Sequence, residues 1–181
     1  VTRPSTARLL GAVFVVVAVA LLAIGVVKLL DDGGGDSEAS NPSVAAAVRA
    51  ATPAAAPFPG LTRTRVTVGT KVLDVVVADS ETERETGLRR RSDLGPYGGM
   101  LFVFPSPTTV GFTMSTVPVP LDIAFYDASG AVVDRLHMKP CSGTDATCPV
   151  YRARAPFSYA LETVGGPAPA GRLQGAPTGQ G

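Results

Sequence analysis

Nineteen consecutive residues, Leu9 to Val27, carry no charge, and they stand between Arg3 and Arg8 on one side and Asp31 and Asp32 on the other. As a helix rising about 1.5 Å per residue, the run is roughly 28 Å long, close to the ~30 Å hydrocarbon core of a bilayer. If Lys28 snorkels, Leu29 and Leu30 add to the span. Nothing in the stretch alternates with polar residues, which argues against a buried helix of a globular core. Basic residues on its N-terminal side predict a cytoplasmic N-terminus and a single-pass cell-membrane anchor over residues 1–30, with everything after Asp31 outside. The competing reading is a secretory signal cut after Ala18-Val19-Ala20. Such a cut would leave Leu21-Leu22-Ala23-Ile24 exposed at a mature N-terminus, so the retained anchor is preferred.

Composition then divides the rest. Residues 31–60 begin Asp31-Asp32-Gly33-Gly34-Gly35 and continue Ala/Pro-rich to Pro59-Gly60, the make-up of a flexible linker with no core of its own. Val44 to Ala51 could form a transient helix within it, marginal in isolation. Residues 167–181 are rich in Pro, Gly and Gln and read as a disordered tail. Residues 61–166 remain as one domain, long enough for a single hydrophobic core.

In that domain Lys and Arg equal Asp and Glu in number, and the whole chain carries only +1. A nucleic-acid binder needs a basic excess, so that class is excluded. The two cysteines, Cys141 and Cys148, lie in one polar loop, and outside a membrane they are expected to pair. A zinc site would have only His137 and carboxylates such as Asp145 to complete it, so neither a metal nor another cofactor is expected.

Residues 61–78 alternate and turn at Gly69-Thr70, a β-hairpin pattern. Ser80 followed by Glu83 is a capping box, predicting a helix to about Arg90 with Glu85 and Arg89 at salt-bridge spacing. Met100–Phe104, Val110–Met114, Leu121–Tyr126, Ala131–His137 and Tyr159–Val164 read as short strands. The expected fold class is α+β: six or seven short, mostly antiparallel strands in a curled or barrel-like sheet, one main helix, and the N-terminal transmembrane helix.

Several pieces occur in a distinctive order: Arg84-x-x-Gly87-Leu88, Arg91-x-x-Leu94, Gly99-Met100-Leu101-Phe102-x-Phe104, Phe112-x-Met114 leading to Pro120-Leu121-Asp122, and Tyr159-x-Leu161-Glu162. In this the chain resembles the family called domain of unknown function 192, a resemblance that implies no established activity. That family reads Phe-Trp-Met-Lys-Asn-Thr where this chain has Phe112, Thr113, Met114, Ser115, Thr116 and Val117. It also tends to have Met where Arg89 stands here. A ligand bound through that polar stretch would have to be held differently in this chain.

Arg84 on the helix and Asp122 inside an apolar run are the charges that most need partners. They are expected either to pair with each other or, with Arg91 and Glu162, to bind a small polar ligand or an envelope polymer. Met100 and Met114 read as core filler. The run Arg89-Arg90-Arg91 could meet lipid headgroups, although nearby Glu81, Glu83 and Glu85 fit a solvated face better. His137 and Asp134, three apart on a strand, should face opposite ways, and no nucleophile elbow accompanies them. The expectation is therefore a binding domain without catalysis. An envelope hydrolase or transferase using Asp122 or Glu162 with His137 is one alternative, and an accessory module docking through a sheet edge is another.

Overall fold

The structure is a computed structural model and describes residues 41–176. The charge-free run and residues 31–40 lie outside the described residues, and among those described no helix is long and apolar enough to cross a membrane.

The Val-rich hairpin forms as its alternation predicts. Strand β2 (Thr62–Val68) pairs antiparallel with β3 (Lys71–Ala78) across Gly69-Thr70. A crossover then carries the chain to β4 (Gly99–Thr108), which lies parallel to β3. The remaining ladders of the main sheet are antiparallel: β4 to β9 (Phe157–Val164), β9 to β6 (Leu121–Tyr126), and β6 to β7 (Val132–Met138). Two short strands, β1 (Thr52–Pro53) and β10 (Leu173–Gly175), share the outer edge of β2, and β5 (Phe112–Thr113) pairs with β8 (Val150–Tyr151) in a separate ribbon. The fold is thus an α+β domain built on a mixed, mostly antiparallel sheet. The strands beyond the expected six or seven are pieces of two or three residues, too short to leave a periodic signal.

Strand β9 lies in the middle of the sheet, so both its faces are covered. Period-two alternation separates two apolar layers. Val76, Met100, Phe102, Ile123, Phe125 and Ala160 belong to one, while Val75, Leu101, Ala124, Tyr126, Tyr159 and Leu161 belong to the other. The two ends of the sheet approach each other: Leu173 N–H on β10 donates to Gly130 O in the β6–β7 turn at 2.8 Å.

Two expectations about the flanks are overturned. Residues 41–60, read as flexible linker, are part of the folded body. Helix α1 (Pro42–Arg49) is capped by Asn41, whose side-chain oxygen accepts from the backbone of Ser43 and Val44, and whose amide donates to Leu173 O at 2.9 Å. Val44 and Ala47 bury the apolar face of α1 against the second layer, and Phe58 fills the first. A helix too short to persist alone is stabilised by that packing. The tail is likewise ordered as far as Ala176, because Leu173 is a fully buried residue of β10.

The helix expected to reach Arg90 is shorter. Helix α2 (Glu81–Thr86) has the predicted capping box, with Glu83 N–H donating to Ser80 Oγ and Ser80 N–H donating back to Glu83 Oε2. It stops at Gly87, where φ is +45° and an added Cβ would stand 3.4 Å from the Phe102 ring. Gly87 is therefore the terminator of the helix, suited to its positive φ and to the close approach of Phe102. The expected Glu85–Arg89 bridge is lost with that turn. Arg89 Nε donates instead to the backbone carbonyl of Glu85.

Candidate functional site

The crossover between β3 and β4 places α2 and the turn after it over the first apolar layer, and the space left beneath them is a cavity of about 650 Å³. Its walls are Phe102 and Phe104 from β4, Phe112 from β5, and Leu88, Val110 and Val117 from the connecting segments. The aromatic rings brace one another edge to face: Phe112 stands 5.2 Å from Phe102 at 87°, and Phe104 stands 5.3 Å from Phe157 at 89°. Such contacts fix ring positions and so the shape of the space.

Glu162 reaches this cavity from the central strand. Its Cα partners are Met100 and Ile123, so it shares the first face with Ala160 and stands among apolar side chains. The residue is 5% exposed, and no hydrogen bond or ion pair reaches its carboxyl from the described residues. Burial alone pushes the carboxyl up to about 8, which keeps it protonated at neutral pH.

Arg84 and Arg89 border the same cavity, and both are already engaged. Arg84 Nη1 donates to the carbonyls of Asp79 and Val103, and the guanidinium lies 5.2 Å from the Phe104 ring centre, tying α2 to β4. Arg89 donates to Ser115 O at 3.1 Å and to Asp145 Oδ1 at 2.7 Å. The hydrogen bond from Arg89, with one from Thr113 Oγ1, holds the Asp145 carboxyl below its ordinary range. Asp145 sits in the loop closed by the Cys141–Cys148 disulfide, which forms as expected. Ser115 Oγ donates to Gly143 O and holds that loop at the cavity rim.

The model of the family described as "Uncharacterized ACR", domain of unknown function 192, matches residues 64–174. The chain belongs to this family. A solved structure from Novosphingobium aromaticivorans, described as a protein of unknown function, is 31% identical, with a TM-score of 0.53 over 66% of this chain and 86% of its own. Another, from Sinorhizobium meliloti and described as "a putative transcription regulator", is 28% identical, with a TM-score of 0.51 over 62% of this chain and 92% of its own. No curated protein matches.

In this domain of unknown function 192, three of the five positions that depart from the resembling motif, Arg89, Thr113 and Val117, line the cavity. Thr113 and Val117 line it, Ser115 anchors the disulfide loop, and Arg89 supplies the cation on that wall. Met100 and Met114 are fully buried, as core filler should be.

Of the four expected ligand-binding residues, Arg84 and Glu162 converge on the cavity and Arg91 and Asp122 do not. Arg91 Nη1 donates to Pro57 O, and its guanidinium stacks 4.3 Å from the centre of the Phe58 ring, which pins the folded 53–60 segment. The expected Arg84–Asp122 pair does not form. Asp122 alternates with Ile123 and so faces the layer opposite α2, where its carboxylate meets His137 Nδ1 at 3.0 Å. That pair borders a cleft of about 150 Å³ with Arg135, Pro167 and Ala168. His137 is the Cα partner of Asp122, so it cannot join Glu162 across the sheet in an acid–base set. In sequence the aromatic walls have the pattern of core strand. Only the crossover shows that their rings border open space.

Proposed function

We propose that this chain is a membrane-tethered, outward-facing binding domain whose curled sheet holds a small organic molecule in the cavity beneath α2. One observation carries the reading: Glu162, a buried carboxyl without a partner among the described residues, opens onto a cavity walled by three phenylalanines. A polar group left unsatisfied in an interior costs about 1–3 kcal/mol, and an apolar residue there would avoid that cost. An occupant that hydrogen-bonds the carboxyl removes it. The volume lies within the roughly 300–1,000 Å³ common for small-molecule sites, and apolar walls around one polar group are their usual chemistry. The outward orientation rests on the charge-free run at Leu9–Val27, the basic residues before it, and a disulfide of the kind kept in oxidising compartments.

Two measurements test this. Native mass spectrometry of the full chain should show a retained small molecule or uptake from a fragment set, and Val117→Trp, which puts an indole into the cavity, should weaken both. Binding undiminished in V117W would place the site elsewhere. A membrane-impermeant protease applied to intact cells should cleave the domain, and full protection would contradict the orientation.

A further inference from the structure

We infer that the molecule held in this cavity is an organic ammonium, its charged head on the Glu162 carboxylate and its apolar body against Phe102, Phe104 and Phe112. The inference rests on the small-molecule reading and narrows it to a chemical class. Three features of the lining point the same way.

The ionisable groups facing the cavity are Glu81, Arg84 and Glu85 from α2, Arg89 from the turn, Asp145 from the disulfide loop, and Glu162 from β9. Carboxyls outnumber guanidiniums four to two. Arg89 is paired with Asp145 and bonded to Ser115, and Arg84 Nη1 is held by two backbone carbonyls, so one of the two cations is already matched by a carboxylate. An anionic guest would face the carboxylates of Glu81, Glu85 and Asp145 on the same walls. A cationic guest meets an acceptor with no other partner among the described residues and the faces of aromatic rings, which attract ammonium groups. Arg84 over Phe104 already shows a cation on one of these rings.

The association carries a proton with it. In the empty cavity burial keeps Glu162 protonated near neutrality. When an ammonium enters, the Glu162 O–H bond breaks, the carboxylate forms an ion pair with the ammonium N–H, and the released proton goes to solvent. The guest keeps its own charge, and no redox partner is involved. Affinity therefore rises with pH until the free carboxyl is itself ionised.

The test uses calorimetry on the full chain with benzylammonium, benzyl alcohol and benzoate as probes, at pH 6.5 and pH 9, in buffers of different ionisation enthalpy. Benzylammonium should bind at least roughly tenfold more tightly than benzyl alcohol, and benzoate should not bind. About one proton should be released per benzylammonium at pH 6.5, and far less at pH 9. E162Q should lose the tenfold preference and the proton release while still binding benzyl alcohol. Should E162Q fail to fold, the buffer dependence of the unaltered chain decides alone. Equal binding of amine and alcohol, no proton release, or undiminished amine affinity in E162Q would overturn the ammonium assignment and leave the small-molecule reading standing. If none of the three probes enters and V117W changes nothing, both fall together.

Discussion

Glu162 should make the domain less stable as pH rises, the reverse of what an ordinary surface carboxylate does. Its carboxyl ionises near 4.5 when exposed in the unfolded chain and only at about 8 in the folded one. The folded state therefore holds a proton that the unfolded state has lost throughout that window, and stability falls as pH climbs through it. Below pH 4.5 both states are protonated and nothing is lost. At roughly 1.4 kcal/mol per pH unit, the full span is about 5 kcal/mol, of which about 4 falls between pH 5 and pH 9. For a domain of this size that is a drop in melting temperature on the order of 10–15 °C. Asp127, where hydrogen bonds from Ser129 and Ala131 outweigh burial, and Asp145 are both held below their usual range and stay ionised across the window. Glu162→Gln keeps the shape and removes the titration. Its melting temperature should be nearly level from pH 5 to pH 9, and above that of the unaltered protein at the alkaline end. Differential scanning calorimetry of both proteins reads this directly. A level profile in the unaltered protein, or an equal fall in E162Q, would show that the carboxyl is solvated or partnered.

Phe58 is fully buried between Tyr97 and the Arg91 guanidinium, so Phe58→Ala should cost about 3–5 kcal/mol in urea unfolding. A loss below about 1 kcal/mol would mean that residues 53–60 do not belong to the core. Thr116 is exposed and held at φ +61°, where a β-branched side chain is strained. Thr116→Gly should therefore add on the order of 1 kcal/mol to stability, and Thr116→Asn, the residue of the resembling motif, should add part of it. Replacing both Cys141 and Cys148 by Ser should cost roughly 2.5 kcal/mol by loop entropy. The same double variant should weaken ligand uptake by loosening the loop that carries Asp145, and unchanged uptake would separate that loop from the site.

Arg84 and Glu162 could be singled out from sequence because each is a charge stranded in an apolar or ordered motif. Their partners could not. Asp122 stood out for the same reason as Glu162, yet it lies one residue off in phase, and one residue of phase on a strand is the whole thickness of the sheet. Which of two stranded carboxyls meets α2 depends on register, and register is set by pairing between residues some forty positions apart. The phenylalanines that wall the cavity look the same in sequence as phenylalanines that fill a core.

The sequence by itself determined the local elements: the β2–β3 hairpin, the capping box that starts α2, the strand runs at Leu121–Tyr126 and Tyr159–Val164, and the cysteine pair close enough to join. Each depends on residues within a few positions of one another, where alternation, capping and turn chemistry act directly. The tertiary structure decided the rest. Asn41 caps a helix and binds Leu173 across 132 residues, turning apparent linker and tail into core. The parallel crossover from β3 to β4 suspends α2 above the sheet and leaves a space that side chains do not fill. Long-range packing makes a short alanine-rich helix stable and leaves a carboxyl nearly without solvent, because burial belongs to the assembled sheet rather than to any stretch of chain.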